Sequence, residues 1–131
     1  MSNFNLKAGL TCEVETTVLQ KNTAEELGSG SLDVLATPSM IALMERAALS
    51  AVELYLPVGY ATVGTSVNIS HTAATPVGMK IRAVAELIKC EDKKLSFKVE
   101  AFDEVEKIGE GYHERYIINA EKFRSKVYGK R

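Results

Sequence analysis

Apolar and polar residues alternate along most of this chain, and the alternation marks five strands. In residues 10–18, Leu10, Cys12, Val14, Thr16 and Val18 face one way and Thr11, Glu13, Glu15 and Thr17 the other, the mark of a half-buried strand. Residues 61–71 repeat the pattern. Val63, Thr65, Val67, Ile69 and His71 share the face expected to be buried, and Gly64, Ser66, Asn68 and Ser70 the opposite face. Gly64 weakens this strand unless something approaches closely there. A third strand spans residues 79–89, with Ile81, Ala83, Ala85 and Leu87 inward, and a fourth carries Leu95, Phe97, Val99 and Ala101 inward. Residues 109–119 form a fifth, but both its faces are partly apolar and the period does not say which is core. Turn-forming stretches at 75–78, 91–94 and 103–107 separate the last four strands and predict hairpin links between antiparallel neighbours.

Between the first two strands the period changes from two to 3.6. At 100° per residue, Met40, Ile41, Met44, Ala47, Ala48, Ala51, Val52 and Tyr55 fall on one apolar arc, opposite Arg46, Ser50 and Glu53. Thr37-Pro38 is a start signal: Thr can cap a helix, and Pro tolerates the first turn. Neither Gly nor Pro recurs until Pro57. Glu45 sits at the edge of the arc, beside Ile41 and Ala48, where a carboxylate needs a reason. Upstream, Thr23 with Glu26 fits a capping box for one short helical turn, and residues 27–31 read as a flexible loop, either a lid or a plain connector. At the far end Asn119 is expected to cap a short helix with Phe123 and Val127 as its apolar contacts.

Strand, helix, then four hairpin-linked strands is an α+β order. One long central helix wrapped by a five-stranded antiparallel sheet is the hotdog arrangement. It leaves one sheet edge and one helix flank uncovered, so a homodimer is expected. Length and charge narrow the picture further. The 131 residues suffice for a single domain over 1–131, and a net charge of −1 gives no overall pull toward nucleic acid or an anionic membrane. The longest uncharged stretch, residues 54–79, is broken by Pro57, Gly59, Gly64, His71 and Pro76 and is unsuited to crossing a membrane. Met1-Ser2-Asn3-Phe4-Asn5 lacks the apolar core of a signal peptide, which points to a cytoplasmic location. Cys12 and Cys90 lie far apart and form no CxxC pair, so reduced thiols with packing roles are expected. His71, His113 and Glu45 are ligand types without metal-ligand spacing, and no metal is expected.

The segments Leu35-Ala36-Thr37-Pro38, Leu43-Met44-Glu45, Gly64-Thr65, the run from Ser70-His71 to Val77-Gly78, and Gly109-Glu110-Gly111-Tyr112-His113-Glu114-Arg115 follow one another along the chain. Together they resemble the fluoroacetyl-CoA thioesterase-like branch of hotdog-fold acyl-CoA thioesterases. The resemblance implies hydrolysis of an acyl-CoA, with Thr37, Glu45 and His71 as the catalytic set, Gly64 and Arg115 as substrate-binding residues, and no cofactor beyond the coenzyme A of the substrate. It also implies that a few of Lys80, Arg82, Lys89, Lys93, Lys94 and the basic tail meet CoA phosphates, the rest being a solvated face.

The chemistry asks for the same residue types. Thioester hydrolysis needs a nucleophile or activated water, a group to move protons, and donors for the developing oxyanion. Glu45 can attack directly or activate water, and the sequence leaves both open. Thr37 and Glu45 are eight residues apart, an axial rise of about 12 Å on one helix, so a site holding both needs either a bent entry that takes Thr37 off the helix axis or a second subunit, and the two-subunit site is expected. A gate for a very small fluorinated acyl group should be apolar and tight. The candidate lid, residues 28–32, has no aromatic residue, which implies another short or medium acyl group. The rival readings are a domain that binds or senses acyl-CoA without turnover and a hotdog hydratase, whose Asp/His motif is not visible in this chain.

Overall fold

The computed structural model describes Phe4 and residues 6–131, so the amino-terminal signal reading lies, apart from Phe4, outside the described residues. The elements follow in the expected order: β1 (Thr11–Thr17), α1 (Ala24–Leu27), α2 (Thr37–Val52), β2 (Tyr60–His71), β3 (Lys80–Glu91), β4 (Lys94–Phe102), β5 (Lys107–Asn119) and α3 (Ala120–Tyr128). The five strands make one antiparallel sheet in the order β1-β3-β4-β5-β2. Among the described residues no helix is long and apolar enough to cross a membrane.

The order corrects one expectation. β2 and β3 are not a hairpin: β2 pairs with β5 at one edge, and β3 pairs with β1 near the other. Residues 72–79 therefore cross from one side of the sheet to the other. They are fastened on the way, by Leu35 N–H donating to the Thr75 carbonyl (2.9 Å), by Gly78 N–H donating to the Val18 carbonyl (2.8 Å), and by the Thr75 hydroxyl donating to Asp103 (2.9 Å). This crossing passes the start of α2 and leaves His71 there.

α2 lies mainly over β3 and β1 and buries Met40, Leu43, Met44, Ala47, Ala48, Ala51 and Val52. Leu43 was not on the expected arc. Tyr55, which was, is exposed, because the α-helix ends at Val52 and a 3₁₀ turn follows over Glu53–Tyr55. The facing strand residues Ile81, Ala83, Ala85, Leu87, Leu95, Phe97, Val99 and Ala101 are all buried, as their alternation predicts. Alanines on both surfaces allow the helix to sit close to the sheet. The larger residues supply the driving force, about 1.5–3 kcal/mol for each fully buried Leu, Ile, Met or Phe.

A second correction concerns β2. Its register with β5 shifts between Gly64 and Ser66, which makes Thr65 a bulge residue. The extra residue reverses the phase of the strand. Thr62 and Gly64 face inward before the bulge, and Val67, Ile69 and His71 after it, so Val63 and Thr65 do not join the inner face as expected. Opposite them, β5 turns Gly109, His113, Arg115 and Ile117 inward. Asn119 caps α3 as expected, accepting from Lys122 N–H at 3.0 Å. Its Phe123 and Val127 stay 39% and 44% exposed, so the expected packing of that helix is only partial. Cys12 and Cys90 are free and half-buried.

Candidate active site

Thr37 does not cap its helix. Ala36 occupies the cap position in extended conformation (φ −73°, ψ 143°) with no side-chain bond, and Thr37 is the first helical residue. Its hydroxyl is thereby free to turn sideways, and Thr37 Oγ1 shares a 2.7 Å hydrogen bond with His71 Nδ1. The other ring nitrogen, His71 Nε2, is shut away from solvent without a partner among the described residues. Burial pushes the His71 pKa down, opposed in part by a backbone hydrogen bond at Ala73. The imidazole is therefore neutral near pH 7 and suited to taking up a proton. A cavity of about 290 Å³ opens at this pair, walled by Ser29, Val34, Leu35, Thr37, His71 and Ala73 among others. Ser29 brings the 27–31 loop into the wall. That loop is folded back on α1, with Gly28 left-handed (φ 73°) and Ser29 N–H donating to the Ala24 carbonyl at 3.0 Å.

Glu45 lies two turns further along α2 and faces the β2–β5 side. A Cβ built on Gly64 would stand 3.0 Å from Glu45 Oε2, 3.2 Å from His113 Cε1 and 3.4 Å from an Arg115 terminal nitrogen. The missing side chain of Gly64 is what lets these three groups converge. Glu45 is half-buried, and among the described residues its carboxylate makes no hydrogen bond within the protomer, so it is available.

Arg115 is buried, 7% exposed, and held by three hydrogen bonds, two at one edge and one at the other. Its Nε donates to Thr62 Oγ1 (2.8 Å), one terminal nitrogen donates to the Thr62 carbonyl (3.0 Å), and the other donates to His113 Nε2 (3.2 Å). His113 Nδ1 donates in turn to the Ser66 carbonyl at 2.8 Å. A carbonyl can only accept, so the proton sits on Nδ1 and Nε2 presents its lone pair to Arg115. Burial pushes the His113 pKa down. The Ser66 hydrogen bond opposes it, the Arg115 cation adds to it, and Glu45 and Glu114 oppose it again. Burial also lowers the Arg115 pKa, and the charge of Glu45 works against that. A buried guanidinium costs several kcal/mol unless hydrogen bonds and an opposite charge offset it, and this one has both.

Sequence reasoning singled out His113 beside Arg115 without giving it a place in this network, and it missed Thr62. The available signal was the i, i+2 spacing of Gly109, Gly111, His113 and Arg115, which puts two polar side chains on the same face as two glycines.

One protomer thus brings Thr37 to His71, and Gly64 and Arg115 to Glu45. It does not join the two groups: among the described residues no hydrogen bond links Glu45 to Thr37 or His71, and eight residues of helix separate Thr37 from Glu45. Of the basic residues, Lys80, Arg82, Lys89 and Lys94 stand within 3.1–4.0 Å of Glu15, Glu13, Glu91 and Glu114, in exposed pairs of small energetic weight.

Comparison with known proteins places this geometry. Residues 18–121 match the family described as fluoroacetyl-CoA-specific thioesterase. The fluoroacetyl-CoA thioesterase of Streptantibioticus cattleyicolor is 45% identical over 95 residues, 72% of this chain and 68% of that protein. A solved structure of a fluoroacetyl-CoA thioesterase superposes with a TM-score of 0.91 at 36% identity, over 97% of this chain and 98% of that one. A hot-dog-like protein from Thermanaerovibrio acidaminovorans, at 17% identity, shares the fold with a TM-score of 0.87 over 95% of this chain and 93% of its own.

Proposed function

The chain belongs to the fluoroacetyl-CoA-specific thioesterase family and has the hotdog fold, and from that membership we propose that it hydrolyses an acyl-CoA carrying a short or medium acyl group. Glu45 is the base or nucleophile, assisted by His71 and Thr37. Gly64 and Arg115 bind the substrate at Glu45. The observation that carries the reading is the meeting of Glu45, Gly64 and buried Arg115 at one point of the inner sheet face.

In the reaction, oxygen from water or from Glu45 bonds to the thioester carbonyl carbon, and charge gathers on the carbonyl oxygen. The C–S bond then breaks, and CoA leaves as a thiolate that takes a proton. If Glu45 attacks, water cleaves the resulting anhydride and restores the carboxylate. Arg115 offers positive charge to the developing oxyanion, and neutral His71 moves protons between water and the leaving sulfur. The reading calls on water and these side chains alone, with no metal or redox cofactor, and places the enzyme in the cytoplasm.

The complete site is shared by two copies of this chain. β2 is an outer strand, and Val67 on its inner face is 45% exposed. A second protomer over that face would bring its own Thr37–His71 pair toward Glu45. For a relative, a solved structure holds fluoroacetate and CoA. Here residues 28–32 bring no aromatic side chain to the cavity, which favours acyl groups beyond fluoroacetyl.

A panel of acyl-CoAs assayed for free thiol tests the proposal. Wild type should release thiol, and Glu45→Ala should lower kcat by roughly 10²–10⁴-fold, the usual worth of a positioned acid–base or nucleophilic group. Tight binding across the panel without turnover would replace hydrolysis with an acyl-CoA binding role.

A further inference from the structure

We propose that His113 is a positioning residue, which holds the Arg115 guanidinium at Glu45 by accepting a hydrogen bond at Nε2. The inference deepens the proposed hydrolysis and rests on that reading for its catalytic consequence.

Three observations carry it. The first is that the His113 ring is 1% exposed and cannot exchange partners with water. The second is its fixed tautomer. Nδ1–H is spent on the Ser66 carbonyl at 2.8 Å, so Nε2 has only its lone pair to offer, and the group beside it is a donor of Arg115 at 3.2 Å. The third is that, among the described residues, the second terminal nitrogen of Arg115 has no other hydrogen-bond partner. Thr62 takes Nε and one terminal nitrogen through its hydroxyl and carbonyl, which fixes the plane of the guanidinium near one edge. The remaining terminal nitrogen is the one that lies 3.4 Å from the Gly64 Cβ position, which Glu45 Oε2 approaches to 3.0 Å. His113 is its hydrogen-bonding partner within the protomer, and it sets where that nitrogen stands.

Everything packed on the ring fits this role. Phe97 of β4 stacks on it at 6.2 Å between centroids, Ser66 of β2 fixes the tautomer, and Arg115 and Glu114 of β5 and Glu45 of α2 are the charges around it. An apolar residue would fill the space equally well but would leave the guanidinium held from one side only. A protonated imidazole would present N–H to N–H. The neutral ring with its lone pair turned to Arg115 does neither.

Two substitutions separate positioning from packing. His113→Phe keeps an aromatic ring against Phe97 and removes the acceptor. His113→Gln restores an acceptor, because its amide oxygen is three bonds from Cβ, as Nε2 is. In the thiol-release assay His113→Phe should lose kcat about tenfold, the weight of one hydrogen bond to a charged group, with KM little changed. His113→Gln should recover most of that loss. Nitrogen-15 NMR of the substrate-free protein reads the geometry independently of turnover. Wild-type His113 should show the neutral Nδ1–H pattern at pH 7. The Arg115 Nε–H signal should persist in wild type and in His113→Gln, and broaden or exchange about tenfold faster in His113→Phe. Retained kcat in His113→Phe while Glu45→Ala is inactive would overturn the positioning role and leave the hydrolase reading standing. An Arg115 signal equally protected in all three proteins would overturn it whatever the activity. A wild type without turnover would remove the hydrolase reading and leave the NMR comparison to decide the geometry.

Discussion

At the scale of single residues, the site depends on what is missing at Gly64. In Gly64→Ala the new methyl group stands 3.0 Å from Glu45 Oε2 and 3.2 Å from His113 Cε1, closer than side chains normally allow. The Glu45 carboxylate is the flexible end of a half-buried side chain and gives way first. The expected outcome is a loss of kcat/KM of about tenfold or more with a change in stability of roughly 1 kcal/mol, read by pairing the thiol assay with urea unfolding. Equal losses in both would make Gly64 a packing residue. The two histidines set a second expectation. Burial lowers the folded-state pKa of His71 and of His113, so between those values and the ordinary imidazole value of about 6.5 the unfolded chain binds more protons. Stability is then full above about pH 6.5 and declines as the pH falls through the window below it. Thermal melts from pH 7.5 to 5.5 should show a falling midpoint, and a flat profile would contradict the burial of both rings. Glu45 and His71 were legible as candidates because each is a polar residue out of place in an apolar period. Thr37 was legible by position and misread in role, since nothing in Thr-Pro tells whether the hydroxyl turns to its own helix or to a strand end 34 residues away.

At the scale of elements, alternation read β3 and β4 well, because their inner faces are apolar without interruption, and it read the phase of β1, whose Cys12 and Val14 are half-buried while Thr16 stays exposed. It failed on β2 because one bulge residue, Thr65, reverses the phase, and a bulge adds no apolar or polar mark of its own. It also failed on the pairing of β2. A turn rich in Pro and Gly reads as a hairpin, whereas residues 72–79 are a crossing whose partners, Leu35, Val18 and Asp103, are distant in sequence. The true neighbour of β2 is β5, and glycine sets how closely they approach. A Cβ on Gly111 would collide with the carbonyl of Asn68 across the ladder, and one on Gly109 would meet Met40 and the Ser70 carbonyl at 2.6–2.8 Å. Backbone on the opposite strand cannot step aside as a side chain does. Gly111→Ala should therefore destabilise the fold by roughly 2–4 kcal/mol, more than Gly64→Ala, as read from the urea midpoint. A Gly111→Ala protein as stable as wild type would mean that β2 and β5 are not in this register.

At the scale of the whole molecule, the sheet wraps only part of α2, and the consequences fall on the site. The helix covers β1 and β3, and its flank toward β2 and β5 carries Glu45, facing Arg115 and Gly64. The Thr37–His71 pair stands at the start of the same helix, at a separate cavity. The sequence foretold this separation through helical rise alone, and the fold keeps the two groups apart. A two-fold dimer would solve the geometry, because a symmetric interface lets each protomer give one half-site and receive the other. That arrangement makes a prediction that a self-contained site does not share. Glu45→Ala and His71→Ala homodimers should each be inactive for different reasons. Mixed and allowed to exchange subunits in equal amounts, half of the dimers become mixed, and each mixed dimer carries one site with both residues intact and one with neither. Activity should then return to about a quarter of the wild-type value at the same protein concentration. It should rise at the rate of subunit exchange, and a cross-link that locks the homodimers beforehand should prevent it. A mixture that stays inactive while exchange is demonstrated by mass would place Thr37, His71 and Glu45 of a single chain in one site, and α2 would then have to bend between them.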